Sequence, residues 1–466
     1  MQLNAAQFGV WYGQRLDPDN PVFNQGGYME LRGPIDIGIL KATLELMVAE
    51  DESLRLRFAE VEGVPAQHFG PAPDFAVDVV DVSRESDPLA VALEQMRADM
   101  AVVPDLERDR LFTHVLFVLG PEHLIWYNRA HHLIHDGHTS AILRRRAAEI
   151  YAELAERGEV AGPVFGSFAR VLEEQAAYQG SAAQRRDASY WRKVMDGATC
   201  PANAGAPSNR VVREISYLDN HVLVQLREFS ERAGVSWQQA LIAAAVIHRY
   251  VWTGERDVLL SLPVSGRVSP AAQGVPGMMA NVLPLRCGVD VGETCEALAA
   301  RVAAQTLRAQ WHQRYDSTDL LRDLGWPANG RRLFGPVINI FGDEPPTFAG
   351  TPMSMHLFST GGTAEDLSLT VTRSAGDRLR VDVTIDAAYA DTVDLGRYLG
   401  SFHRVVDSMT ARAGVAVAAV DVLGADRGLV VEGWNATVVD VVDGSLGELF
   451  EARVAAVPDA VALVFG

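Results

Sequence analysis

The stretch that decides the fold is residues 111–140, LFTHVLFVLGPEHLIWYNRAHHLIHDGHTS. It contains two runs rich in β-branched and aromatic side chains, residues 111–119 and 123–131, with a Gly-Pro turn signal between them. This pattern predicts a β-hairpin. Apolar residues then recur at helical spacing from Leu143 to Leu154, and Gly158 follows as a helix stop. A cluster of histidines therefore lies where a strand is followed directly by a helix.

The sequence on both sides of this stretch predicts an α/β protein. Upstream, the pattern indicates a helix near residues 5–11, a strand at YMELR, and a helix and a strand over residues 35–58. Downstream, a helix ends in SYWRKVM, and a linker, CPANAGAPSN, follows it. Three further helices are expected. One ends at Gly234, one begins at Trp237 after a capping box of Ser236 and Gln239, and one spans residues 394–410. The further predicted strands are VVREISYL, DVLLSLPV, GMMANVLPLRCGV, PVINIF, HLFST, DLSLTVT, LRVDVTID and the apolar segment at the end of the chain.

The composition narrows the possible functions. The chain has 466 residues, and its 41 basic and 60 acidic residues give a net charge of −19. A chain this acidic is repelled by phosphate backbones, which argues against nucleic acid as its main partner. No apolar run is long enough for a membrane helix and the start does not resemble a signal peptide, so we expect a cytoplasmic protein without membrane contact. Three cysteines are too few for a disulfide framework.

The histidine cluster, His131, His132, His135 and His138, allows three interpretations. One is a metal site, because three of these residues are spaced i, i+4, i+7, although Gly137 and the preceding strand argue against one continuous helix there. Another is a set of ordinary polar residues at a strand end. The third is acid–base chemistry, because imidazole accepts a proton near neutral pH without prior tuning.

The acid–base interpretation explains most of the cluster. A carboxylate at Asp136 can hold the local turn by pairing with an arginine elsewhere in the chain. Gly137 lets a substrate approach the backbone, where an amide N–H is available to a developing oxyanion. Because no nucleophile elbow and no cysteine lie beside the cluster, we expect direct transfer, in which a histidine activates an incoming nucleophile and no acyl-enzyme forms.

At these residues the sequence resembles the condensation domains of nonribosomal peptide synthetases, which belong to the chloramphenicol acetyltransferase-like superfamily. Residues 131–137, HHLIHDG, fit the HHxxxDG motif of that family. Other family motifs are matched in the same order along the chain, by Ala-Gln and Trp11 near the start and by SLRLRF at residues 53–58. Two further matches are LPVSGR at residues 262–267 and GMMANVLPLR at residues 277–286. The sequence departs from the family at the YxDYAVW motif, for which residues 165–171 are the nearest candidate, and at His138 after the DG pair.

The resemblance implies a fold of two chloramphenicol acetyltransferase-like lobes in a V-shaped pseudo-dimer, with the active site in a tunnel between them. We expect the N-terminal lobe at residues 1–180 and the C-terminal lobe at residues 181–424. Residues 425–466 resemble a linker and the truncated start of an adenylation domain, on the residues WNAT at 434–437 and PDAVA at 458–462. An adjoining adenylation domain is therefore an expected partner.

The resemblance also implies a reaction and roles for individual residues. The family forms an amide between an acyl or aminoacyl donor and an aminoacyl acceptor, each carried as a thioester on the phosphopantetheine arm of a carrier protein. No cofactor and no metal are bound by the domain itself, and we expect a monomer. His132 is the implied catalytic residue, as a general base or as a group that orients the amine. The implied structural residues are His131, Asp136 and Arg55, with Arg55 as the partner of Asp136, and the implied substrate-binding residues are Gly137 and Asn281. For Asn281, a hydrogen bond to backbone is an equal alternative.

Three finer questions stay open at this level. Because the opening motif lies almost at Met1, we expect a starter domain that takes a fatty or other carboxylic acyl donor, with an ordinary aminoacyl or peptidyl donor as the alternative. An epimerisation domain shares HHxxxDG but is disfavoured by the adenylation-like tail. A non-catalytic recruitment module is disfavoured because the second histidine and the glycine of the motif are both present. Residues 144–146, three consecutive arginines, are expected to form a solvated helix face.

Overall fold

The computed structural model describes residues 1–72, 74–200, 211–326, 334–342, 346–358, 367–374, 378–438 and 444–465. The predicted linker, apart from its first residue, and the end of the predicted strand HLFST lie outside the described residues. The chain divides into two compact units, Met1–Val422 and Leu423–Gly466. Within the described ranges, no helix has the length and apolar character that a membrane span requires.

The first part of the larger unit alternates helices and strands as follows. The elements are α1 Ala5–Leu16, β1 Asn24–Arg32, α2 Ile37–Glu50, β2 Leu56–Val61, β3 Val64–Phe69, β4 Asp78–Asp81, α3 Pro88–Met100, β5 Phe112–Gly120, β6 His123–His131, α4 Gly137–Arg157, α5 Phe168–Tyr178 and α6 Ala182–Met195.

The second part of the larger unit contains the remaining strands and most of the remaining helices. They are β7 Val211–Leu218, α7 Asn220–Ala233, α8 Trp237–Thr253, β8 Asp257–Val264, α9 Pro270–Gln273, β9 Asn281–Gly288, α10 Cys295–Trp311, α11 Ser317–Asp323, β10 Val337–Ile340, β11 Met353–Leu357, β12 Leu367–Ser374, β13 Arg378–Asp386 and α12 Leu395–Thr410.

The hairpin and helix predicted around the histidine cluster are confirmed. β5 and β6 pair antiparallel across a two-residue turn, and α4 ends at Arg157 with Gly158 as its C-cap, whose left-handed backbone conformation (φ 74°) suits glycine. β6 lacks the usual alternation because apolar cores cover both of its faces. Trp126 belongs to one core and Tyr127 to the other. The strand that leads to the histidines is therefore a rigid central strand.

Two main sheets form the larger unit, which confirms the α/β class. One has the order β11-β1-β6-β5-β4 and the other β7-β13-β12-β10-β8-β9, and β2 with β3 forms a separate hairpin. β11 is distant in sequence from its sheet, since Met353–Leu357 pairs antiparallel with β1. Residues of the second part thus complete the sheet of the first. The boundaries proposed between the two lobes stay a prediction.

Three strand predictions differ from the structure. The strand expected at HLFST, residues 356–360, begins and ends earlier, because β11 spans Met353–Leu357 and Phe358 lies beyond it. β9 begins at Asn281 and not at Gly277, because Gly277 has a φ of 137° and the backbone of residues 277–280 hydrogen-bonds to side chains at the motif. The apolar segment at residues 461–465 is not a strand, and no neighbouring strand in the described part of its unit offers it a ladder. That smaller unit contains α13, Leu446–Ala456, which begins with a capping box of Ser445 and Glu448.

Candidate active site

The turn that carries the histidine motif is fixed by backbone hydrogen bonds at its start and by a helix cap at its end. The His131 amide donates to the Leu111 carbonyl and the His132 amide to the Phe23 carbonyl, each at 2.8 Å. At the other end, Asp136 is the N-cap of α4, and its Oδ1 accepts from the backbone N–H of Thr139 at 2.8 Å. The side chains between these points therefore project from a rigid backbone.

The side chain of His131 points into the protein. The amide of Leu133 donates to its Nδ1 at 3.2 Å, so the ring proton resides on Nε2, which donates to the Oε1 of Gln14 at 3.2 Å. Burial, with the nearby charges of His132 and Arg129, lowers the pKa of His131 to about 3. The ring is thus neutral near pH 7 and both of its nitrogens are occupied by protein groups.

His132 has the opposite orientation. Its Nδ1 lies 2.9 Å from the carbonyl oxygen of His135, and because a carbonyl can only accept, Nδ1 carries the proton. Nε2 therefore carries no proton, and it lies 2.7 Å from the side-chain amide nitrogen of Gln25, beside a cavity that His132 lines. Burial lowers the pKa of His132, against the opposing effect of Asp136 and the His135 carbonyl. The neutral ring, with its basic nitrogen toward the cavity, is the favoured state.

The predicted partner of Asp136 was wrong. Asp136 pairs with Arg267, whose Nη1 lies 2.8 Å from its Oδ2, and both side chains are fully buried. Arg55 instead lies with its guanidinium 5.8 Å from the ring centre of Phe69. The physical reason is position, since Arg55 directly precedes the β2-β3 hairpin, whereas residues 265–280 pass directly over the start of α4.

The Asp136 carboxylate joins parts of the chain that are far apart in sequence. Its Oδ2 also accepts from the amides of Met279 and Ala280, at 3.0 and 3.2 Å. Burial alone would raise the pKa of Asp136, but the charge and hydrogen bond of Arg267, with the backbone donors, hold it below its usual range. Arg267 donates its remaining protons to Thr139 and to the carbonyls of residues 265, 275 and 277. The pair is thus a charged, fully bonded element of the architecture.

The remaining two histidines of the cluster contact unrelated partners. The Nε2 of His135 lies 2.5 Å from the hydroxyl of Ser140, and the Nε2 of His138 lies 3.1 Å from the carbonyl of Gln273. Burial lowers the pKa of His135 to about 4. In the described part of the chain, no group of three or more His, Cys, Asp or Glu side chains is arranged to hold a metal ion. The cluster is not built as a common coordination site.

A cavity of about 640 Å³ lies beside His132 and is lined by both sheets. Its volume is that of a cleft for a small molecule. The five-stranded sheet contributes Gln25 and Met29, and the six-stranded sheet contributes Thr370 and Thr384. Much of the wall is apolar, including Phe8, Tyr12, Val22, Phe23, Met29, Met278, Phe341, Met355, Leu357 and Phe358. Reactants placed here would lie beside Nε2 of His132.

Gly137 and Asn281 both line the cavity, but their surroundings differ. A Cβ at Gly137 would lie 3.1 Å from Cε1 of Phe341, so glycine keeps this part of the wall open. The amide of Asn281 donates to the carbonyls of Gln313 and Tyr315 at 2.9 and 2.7 Å. Its oxygen accepts from two backbone amides. This arrangement favours the alternative that Asn281 is bonded to backbone.

The arginines at 144–146 are not uniformly solvated, in contrast to the prediction. Arg146 is buried and donates to both carboxylate oxygens of Glu50 and to the carbonyl of Gly162. Arg146 is buried because it lies next to Ala147, a residue of the apolar face of α4, on the side of this helix that packs against α2. Arg144 lines the cavity.

Two residues important to the site were missed from the sequence. Arg267 lies at the end of the quoted segment LPVSGR, so the resemblance marked it without assigning a role. Gln25 precedes the alternating segment YMELR, and it shares a face of β1 with Met29 and Leu31, which belong to the core. The sequence signal that could have found Gln25 is a polar residue on the face of a strand that otherwise points to the core.

Comparison with known proteins identifies the family. The family model "Condensation domain" matches residues 1–425. The chain belongs to the condensation-domain family. Members of this family are acyltransferases that form amide bonds in nonribosomal peptide synthetases.

Relatives and solved structures agree with this assignment. The condensation domain is 32% identical over 469 residues to a "Dimodular nonribosomal peptide synthase" of Bacillus subtilis (strain 168), covering 99% of this chain and 20% of that protein. It is 36% identical over 400 residues to an "Isonitrile lipopeptide synthase" of Streptomyces coeruleorubidus, covering 84% of this chain and 27% of that protein. The chain thus spans about a fifth to a quarter of the length of these two relatives.

The solved structures show the same fold. A mutant starter condensation domain of rhizomide synthetase, in complex with C8-CoA and Leu-SNAC, matches with a TM-score of 0.81 and 33% identity, over 91% of this chain and 97% of that one. The first condensation domain of the calcium-dependent antibiotic synthetase, in complex with a substrate analogue, matches with a TM-score of 0.81 and 30% identity, over 91% and 98%. The predicted chloramphenicol acetyltransferase-like fold is confirmed.

Proposed function

We propose that this condensation domain joins a carrier-bound acyl donor to the amine of a carrier-bound aminoacyl acceptor, with His132 as the group that receives the proton of the amine. The observation that carries the proposal is the orientation of one ring. Nδ1 of His132 donates to the His135 carbonyl, and Nε2 lies at the cavity wall without a proton. Histidine in this state is a general base for an attacking amine.

The reaction balances with groups that this site and its substrates supply. The acceptor amine attacks the donor thioester carbonyl and forms the C–N bond, while its proton passes to Nε2 of His132. The C–S bond then breaks, and the thiol of the donor arm leaves with the proton that His132 returns. Placing both reactants in one cavity lowers the entropic part of the barrier.

The other motif residues support this step indirectly. The pair of Asp136 and Arg267 fixes the turn whose carbonyl, that of His135, holds the His132 ring. Gly137 leaves the wall open beside Phe341, where the arm of the acceptor would pass. No residue of the domain needs to form a covalent intermediate, and no bound cofactor is required.

We propose further that the donor is a fatty or other carboxylic acyl group, as in a starter domain. Three observations support this choice. The cavity wall near α1 and β11 is apolar, with aromatic side chains at Phe8, Tyr12 and Phe358. One relative is a lipopeptide synthase, and one similar structure is a starter condensation domain in complex with C8-CoA. Apolar walls of this kind favour a hydrocarbon chain over a charged aminoacyl group.

The proposed assay uses the purified chain, an octanoyl-loaded or an aminoacyl-loaded donor carrier protein, and an aminoacyl-loaded acceptor carrier protein. Mass spectrometry of the acceptor carrier reports the amide. We expect octanoyl amide from the parent and at least a 100-fold lower rate from His132→Ala, which is the usual contribution of a general base. His138→Ala is the matched control, because that ring contacts the carbonyl of Gln273 in an exposed hydrogen bond and is not among the residues that line the cavity.

The outcomes separate the competing functions. Unchanged amide formation by a folded His132→Ala variant would remove His132 from the mechanism. Amide from aminoacyl donors alone would replace the starter role with ordinary condensation. Proton exchange at Cα without amide product would indicate epimerisation, and carrier binding without turnover for any donor would indicate a recruitment module. The adjoining adenylation domain, the carrier partners and a monomeric state are proposals of the same kind.

A further inference from the structure

The side chain of Gln25 contacts the one ring nitrogen that the proposed chemistry uses. Its amide nitrogen lies 2.7 Å from Nε2 of His132. Because the opposite nitrogen, Nδ1, donates to a carbonyl, Nε2 has no proton and the Gln25 amide N–H donates to its lone pair. In this structure the basic site of His132 is thus occupied by a neutral donor from another strand.

The position of Gln25 explains why the contact is well defined. Gln25 lies opposite Ala130 in the β1-β6 ladder, two residues before His132, and the His132 amide donates to the carbonyl of Phe23, which directly precedes β1. Gln25 therefore lies on β1, and His132 directly follows the adjoining strand β6, whose spacing from β1 is fixed by hydrogen bonds. On the same face of β1, Gly27 and Met29 also line the cavity, so Gln25 is a polar group in a largely apolar part of the wall.

We propose that Gln25 is a positioning residue that holds the His132 ring and sets its basicity, and that the acceptor amine displaces its amide from Nε2 when it binds. The inference rests on the proposed role of His132 as the base. A hydrogen bond to the neutral form of an imidazole favours that form, so Gln25 keeps His132 unprotonated in the resting domain. The acceptor amine must make the same contact with Nε2, and therefore competes with Gln25 for it.

Gln25→Glu is the variant that tests the proposal, because it keeps the side-chain shape and replaces the donor with a carboxylate. An opposite charge at this distance favours the imidazolium form, so the pKa of His132 rises. Since amide formation needs the neutral ring, the acid limb of the kcat/KM profile moves to higher pH, by about one unit or more. A residue with a merely structural role would lower the rate at every pH without moving the limb.

NMR of the histidine ring nitrogens tests the contact without any turnover. In Gln25→Glu, the titration of His132 should move to higher pH. In Gln25→Met, which is uncharged and of similar length, the Nε2 resonance should shift to that of a lone pair without a donor, while Nδ1 stays protonated. This second variant keeps the test available if the carboxylate prevents folding.

The control is Gln310→Glu, which adds the same charge at an exposed position of α10 and should leave both the limb and the His132 titration unchanged. The proposal would be overturned if Gln25→Glu left both the acid limb of the kcat/KM profile and the His132 titration at the parent values. An Nε2 resonance of His132 that does not move in Gln25→Met would overturn it as well. Failure of the proposed function would look different. Amide formation would then survive His132→Ala, while the NMR shifts caused by Gln25 would still be present.

Discussion

Replacing Asp136 by asparagine should destabilise the domain more than any change at a surface ion pair. The side chains of Asp136 and Arg267 are 1% and 0% exposed, and the carboxylate accepts five hydrogen bonds, from Arg267, Thr139 (two), Met279 and Ala280. Asparagine keeps the shape but leaves the Arg267 charge buried without a counter-charge. Breaking a buried pair in this way costs about 3–5 kcal/mol of unfolding free energy.

Urea unfolding followed by tryptophan fluorescence measures this cost, with two further variants to locate its source. Arg267→Met removes the other partner and should cost a similar amount. The double variant Asp136→Leu with Arg267→Met removes both charges and should recover part of the loss, because a buried pair replaced by apolar groups is often neutral. Arg55→Met should cost only about 0.5–1 kcal/mol, the value of a cation–π contact, because Arg55 is not the partner of Asp136.

The exposed pair Arg15–Glu60 supplies the reference, with side chains 61% and 44% exposed. Glu60→Gln should cost about 0–1 kcal/mol. A loss in Asp136→Asn no larger than that in Glu60→Gln would refute the assignment of a buried, structural pair. A loss in Arg55→Met equal to that in Arg267→Met would contradict the small contribution assigned to Arg55.

The difference in unfolding free energy between the parent and Asp136→Asn depends on pH, and the pKa of Asp136 determines the direction. The pKa of Asp136 is lower in the folded protein than in the unfolded chain. A carboxyl of this kind contributes stability that is fully present above its unfolded pKa, about 3.9, and is lost as the pH falls through the folded pKa. The difference between parent and Asp136→Asn should therefore be constant near pH 7 and shrink only below about pH 4.

Three further predictions concern other positions. Gly137→Val should lower the rate of amide formation at least 10-fold with a small effect on the melting temperature, because the new side chain enters the cavity against Phe341. Steady-state kinetics and a thermal melt of the same variant would check this. Asp51→Asn should stabilise the domain by about 1–2 kcal/mol at pH 8 in urea unfolding, since burial raises the pKa of Asp51 to about 6 and the parent carries the cost of the buried carboxylate above that pH. That gain should disappear below about pH 4, where the carboxyl is protonated in both folded and unfolded states. Gly266→Ala should reduce soluble yield far more than Gly254→Ala, because both glycines have positive φ but only at Gly266 would the Cβ meet a backbone oxygen, that of Met279.

The elements that the sequence predicted correctly are those specified by neighbouring residues. The β5-β6 hairpin depends on two apolar runs and the turn between them, and α8 begins at the capping box of Ser236 and Gln239 that its sequence shows. Such signals lie within a few residues of one another. The histidine motif belongs to the same class, because its spacing alone placed His132 and Asp136 on one turn.

The features that the sequence did not predict depend on contacts between distant segments. Nothing near residues 353–357 indicates that they join the sheet of the first part, since a strand pattern does not specify its neighbours. The choice of Arg267 over Arg55 likewise depends on which segment passes over the start of α4, 131 positions away in sequence. The strand expected at residues 461–465 was wrong for the same reason, because strand propensity needs a partner ladder to become a strand.

The spacing of four between His132 and Asp136 acquires a physical reason once both are placed. The Asp136 carboxylate is bonded on one side to its own helix and on the other to residues 267, 279 and 280, so it fixes the end of the turn against the second part of the domain. The His135 carbonyl, one residue earlier, fixes Nδ1 of His132 and so leaves Nε2 as the nitrogen of the proposed base. A change at Asp136 therefore moves the acceptor that determines the His132 tautomer, and we expect the folded fraction of Asp136→Asn to lose activity as well as stability. In the proposed mechanism, architecture and proton transfer are thus coupled through a single turn of backbone.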